Sequence, residues 1–95
     1  MDNSNVLDKV KRALMIPLSD NYADDELNLH ISSCRQLLKT VGVSELIAEG
    51  DNSIVEALIL IYCKTFFGFT NDGSVRELPS SFDMLLRQLA LSVGE

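Results

Sequence analysis

His30 and Cys34 stand four residues apart, a spacing that places an imidazole and a thiol on one face of a helix. Such a pair has two chemical uses: two soft ligands to one metal, or a base beside a sulfur nucleophile. A closed zinc site needs four ligands, and no HExxH or CxxC motif in the sequence supplies the others. Nucleophilic use requires an exposed, activated thiolate, whereas Cys34 falls in line with Leu27, Ile31 and Leu38. The pair therefore reads as a helix-edge histidine beside a core cysteine. No catalytic, metal-binding or cofactor-binding residue is assigned.

The other polar clusters read in the same way. Asp24 and Asp25, with Asp20 and Glu26 nearby, lack the alternating oxygen ligands and the glycine of a calcium loop. They suit the positive end of a helix dipole. Asn71-Asp72-Gly73-Ser74 is turn chemistry, because no GxxxxGK[ST] pattern surrounds it. Lys9, Lys11 and Arg12 are few and are offset by Asp2 and Asp8, so they read as a solvated helix face and not as a nucleic-acid patch. Cys34 and Cys63 both fall on apolar helix faces and read as reduced core thiols; their separation, and with it a disulfide, is open at this stage.

The elements that carry these residues follow from periodicity. A first helix is expected over Val6–Met15, capped by Ser4 or Asn5, with Val6, Leu7, Val10 and Leu14 on its inner face. Pro17 stops it. A second helix opens at Asp24-Asp25, repeats Leu27, Ile31, Cys34, Leu38 and Val41, and ends at Gly42. Ser44 caps one turn that ends before Gly50. A last helix follows Pro79-Ser80-Ser81, with Phe82, Leu85, Leu86, Leu89 and Val93 inward.

Between them lies the unbroken apolar run Ala57–Cys63. From Ile54 to Phe67 a helix reaches only about 21 Å, short of the ~30 Å membrane core. Asn52 and Ser53 are helix-capping residues and Gly68 is placed to close the helix, which favours a helix over a strand. Its polar stripe is narrow, so neighbours must cover it. The expected fold is all-α: a compact bundle of four main helices around this central apolar one, with a long irregular loop before the last, and residues 1–95 as a single domain.

Apolar residues make up 46% of the chain and the formal charge is −6. That balance excludes disorder and speaks against nonspecific binding to duplex DNA. The N-terminal residues carry no apolar signal core, so a cytoplasmic protein is expected. The surface a partner would use is sought among apolar residues of the connectors, namely Met15, Ile16, Phe69, Val75 and Leu78, together with Arg76; packing beneath the loops is their alternative fate.

The order of features carries a family resemblance. "LDKVKRAL" (7–14) precedes "DDEL" (24–27), which opens a long helix. "VGV" (41–43) is followed by "DNSIVEALILIYCKTFFGF" (51–69) and by "LRQLALS" (86–92). The chain resembles the gp6-like head–tail connectors, or DNA-packaging adaptors, of tailed bacteriophages and prophages. The resemblance implies a structural, non-enzymatic protein of the virion head–tail junction, present in the bacterial cytoplasm before assembly. Such a protein forms a homo-oligomeric ring under the portal protein, extends the DNA channel and receives stopper or tail-completion proteins. It implies no cofactor, no membrane and no sequence-specific nucleic acid. A competing reading is a small helical DNA-binding or DNA-packaging regulatory protein with a helix–turn–helix after Glu26. Against it, Glu45 and Glu49 occupy the place where a recognition helix needs Arg, Lys, Asn or Gln.

Overall fold

A computed structural model of the protein describes residues 4–50, 52–67 and 77–92. Five helices follow one another: α1 Ser4–Ala13, α2 Asp24–Thr40, α3 Glu45–Ala48, α4 Ser53–Phe66 and α5 Ser80–Ser92. No strand occurs among the described residues, so the all-α expectation holds. The apolar run is α4, and it packs against α1, α2 and α5, while α1 touches α2 and α3 rests on α2.

Local chemistry explains why α4 starts where it does. The Asn52 side chain accepts hydrogen bonds from the Ile54 and Val55 amides at 2.8 and 3.3 Å, satisfying two donors that the first helical turn cannot. Val55, Leu58, Ile59 and Cys63 are wholly buried. Ser53 and Lys64 are exposed, and they lie only about 20° apart around the axis. Complete exclusion from water is not reached, however. Ile54, Leu60 and Ile61, which flank that stripe, are half-buried. Three covering helices enclose one side of a cylinder and leave a seam on the other.

The first two helices end in the same way. Beyond α2, the Gly42 amide donates to Lys39 O (3.1 Å) and the Val43 amide to Leu38 O (2.9 Å), with Gly42 at φ 106°. This is a Schellman closure, and Gly42 is the stop its residue type predicts. Beyond α1, the Met15 amide donates to Arg12 O (3.1 Å) and the Ile16 amide to Lys11 O (2.8 Å), with Met15 at φ 61°. The closure therefore ends α1 at Ala13, two residues before the expected Met15, and puts a methionine where glycine is favoured. Its inward residue, Ile16, is 6% exposed and joins Val6 and Val10 in the core. Ser4 and Asn5 lie within α1 and do not precede it.

Two further expectations shift. Val41 lies beyond the end of α2 and is 52% exposed, so it leaves the α2 core stripe. On α5, Phe82 and Leu89 are buried and Leu85 and Leu86 half-buried, as their spacing predicts. Gly68, the 71–74 turn and Val93 lie outside the described residues.

The two closures predict opposite responses to substitution. Met15→Gly relieves a left-handed methionine and raises stability by about 0.5–1 kcal/mol net of unfolded-chain entropy. Gly42→Ala strains its site and lowers stability by about 1–2 kcal/mol. Thermal unfolding followed by circular dichroism reads both, and the two midpoints should move in opposite directions.

Candidate functional site

The structure separates the one suggestive pair. Cys34 is fully buried, whereas His30 sits at the rim of α2 with 18% of its side chain exposed. His30 Nε2 lies 3.2 Å from Glu26 Oε2. Its ring stacks obliquely on Tyr62 and Phe66 of α4, at centroid distances of 6.2 and 6.4 Å. No group of three or more His, Cys, Asp or Glu side chains is placed to hold a metal among the described residues. Cys34 and Cys63 are free thiols. Burial pushes Cys34 up to about 12, with Cys63 adding to the shift and Arg35 opposing it. Burial alone lifts Cys63 to about 12. Neither is a nucleophile at neutral pH.

Two cations are buried although their charge favours water. Lys11, read as part of a solvated face, is 2% exposed. Its Nζ donates to Asp20 O (2.6 Å), Leu18 O (3.2 Å) and Asp24 Oδ1 (2.9 Å). All three donor hydrogens of the ammonium are thereby used, and the connector between α1 and α2 is folded over the lysine tip. Asp24 remains at the start of α2, as expected, and gains this second role. Arg35, also 2% exposed, donates from Nη1 to Ala48 O (2.7 Å) and Gly50 O (3.2 Å). It thus binds the carbonyls that the short α3 leaves open at its C-terminal end. Arg35 Nε is buried without a partner. Lys39 pairs with Glu49 at 2.6 Å across the same α2–α3 junction and holds the Glu49 carboxyl below its ordinary range.

One sequence signal marks both buried cations. Lys11 follows Leu7 by four residues and precedes Leu14 by three. Arg35 stands in the same relation to Ile31 and Leu38. Each is therefore on the flank of an apolar stripe, where a long stem is covered and only its tip requires acceptors.

The proposed contact residues part company. Met15 is 89% exposed, Ile16 is buried, and Leu78 is half-buried against the core. Ile16 thus takes the packing alternative, because the Schellman turn aims it inward. Phe69, Val75 and Arg76 lie outside the described residues. Sequence reasoning passed over Leu18, Tyr22, Leu46 and Met84, which are 41%, 75%, 81% and 66% exposed. Leu46 stands on the lip of an apolar groove of about 500 Å³ lined by Val41, Val43, Ile47, Leu86 and Ala90. The helix–turn–helix alternative loses its second helix, since α3 has only four residues and its Glu45 is exposed.

The described residues thus form a helical body with apolar side chains exposed on the α1–α2 connector and along one groove. No described helix is long and apolar enough to cross a membrane. The chain belongs to the phage connector protein family, whose pattern matches residues 6–95. That family is structural and not enzymatic. Curated sequences and solved structures give no match to the chain.

The polar and thiol assignments each predict a measurable response. Lys11→Met strands two carbonyls and a carboxylate, and should cost about 2–4 kcal/mol and speed amide exchange across residues 14–23. The thiols should resist iodoacetamide in the folded protein and react on unfolding. In the unfolded chain they ionise near 9, while in the fold they do so near 12. Their contribution to stability is thus complete below pH 9 and is lost as pH rises toward 12. Denaturant unfolding of the protein and of a Cys34→Ala, Cys63→Ala variant should show this extra alkaline loss only in the former.

Proposed function

We propose that the protein is a head–tail connector that assembles as a homo-oligomeric ring under the portal of a filled capsid, extends the DNA channel and receives stopper or tail-completion proteins. The observation that carries this reading is the family match across residues 6–95, which takes in α2 to α5 whole and all but the first two residues of α1. The chain acts as a single domain, located at the head–tail junction of the virion and in the bacterial cytoplasm before assembly. Met15 and Leu78, with Phe69, Val75 and Arg76, contribute partner contacts. Its formal charge of −6 suits a bore through which DNA slides without sticking.

Assembly mass is the direct test. Native mass spectrometry and electron microscopy of the concentrated protein, alone and with portal rings, should show a closed ring of copies that co-sediments with the portal. A chain that stays monomeric in both conditions contradicts the reading. In a mobility assay at low salt the protein should leave duplex DNA unshifted, whereas tight, salt-sensitive binding would favour a DNA-packaging regulator instead.

A further inference from the structure

The groove and the α1–α2 connector are two unlike apolar surfaces at opposite ends of one helix. The groove lies at the C-terminal end of α2, with Leu46 on one lip and Leu86 and Ala90 of α5 forming the other wall. Its volume of about 500 Å³ is enough to seat several side chains. The connector, residues 14–23, adjoins the N-terminal end of α2 and displays Met15 at 89%, Tyr22 at 75% and Leu18 at 41% exposure. The seventeen residues of α2 separate the two surfaces by about 25 Å. A chain therefore cannot fill its own groove with its own connector.

We propose that the groove receives the Met15–Tyr22 connector of a second copy, so that copies join head to tail. This rests on the ring reading above and assigns its subunit contact. The argument for a second copy is the pairing itself. A two-fold dimer needs one self-complementary patch, whereas two different complementary patches on one chain make a heterologous contact, which closes into a ring or runs on as a filament. Copies that each carry a charge of −6 repel at long range, so their attraction must come from apolar burial, which both surfaces offer. The connector is preorganised for insertion, because the Lys11 ammonium holds the Leu18 and Asp20 carbonyls in place. Charges at the rim set its direction. Exposed Asp20 and Asp25 border the connector, exposed Arg87 stands about 60° from Ala90 around α5, and exposed Glu45 lies at the α3 end of the groove. The Asp20 end of the connector accordingly lies toward Arg87 of α5 and away from Glu45 of α3.

The test places Tyr22→Cys and Leu46→Cys in one chain and joins thiols with a flexible bis-maleimide linker in assembled rings, with and without portal. Both sites are exposed, so the fold is retained, and the native thiols are buried. A ladder of covalent multimers from the double variant, with monomers from each single variant, is the expected result. Tyr22→Asp and Leu46→Asp should each lower the assembled fraction by about tenfold or more without moving the thermal midpoint. Rings that form but give no ladder, that cross-link within a single variant, or that link Leu46→Cys only to the portal overturn this contact and leave the ring reading intact. Failure of the unsubstituted chain to form rings at all overturns both.

Discussion

The fold rests on the need to remove α4 from water. A helix with apolar residues around most of its circumference has no stable place on a small protein's surface, so it organises everything beside it. Val55, Leu58, Ile59 and Cys63 are sealed by α1, α2 and α5. Each of those helices contributes one apolar stripe and turns its polar face outward. The same constraint limits chemistry. Both cysteines are consumed as core packing, and the histidine is held between an acidic neighbour and two aromatic rings. What remains for function is the outside of the bundle and the segments that join its helices.

Those segments are held by a second device. Lys11 and Arg35 extend covered stems to the boundary of the core and bind backbone carbonyls of the α1–α2 connector and of the end of α3. A buried charge without partners is costly, so each cation fixes its acceptors as firmly as they fix it. Lys9 on α1 reaches Glu56 on α4 at 2.8 Å, a more exposed tie between the first and the central helix. The bundle is thereby greasy inside and stapled by cations at the α1–α2 connector and at the end of α3.

Much of this was legible in the sequence because each helix states its own limits. Asn52, Ser44 and Gly42 mark caps through chemistry local to a few residues, and the recurrence of Leu27, Ile31, Cys34 and Leu38 names a buried face. What depends on distant partners was not legible. Lys11 looks like its neighbour Arg12 until three oxygen acceptors from residues 18–24 are folded over it. Met15 gives no sign of a positive φ, since methionine seldom adopts one, and so the inward turn of Ile16 was hidden with it. The groove was hidden for a related reason. Its walls come from the α2–α3 turn, α3 and α5, and no single stretch of sequence contains them.

The lysine clasp also bears on which molecule owns the first helix. α1 is a ten-residue helix that lends Val6 and Val10 to the core and is joined to α2 by the connector of residues 14–23. A short helix on such a tether is ready material for exchange between two copies of a chain. Here, straightening the tether would strip the ammonium of its acceptors while leaving its stem beside the core. The penalty falls on the open form alone, so the clasp disfavours lending α1 to another copy.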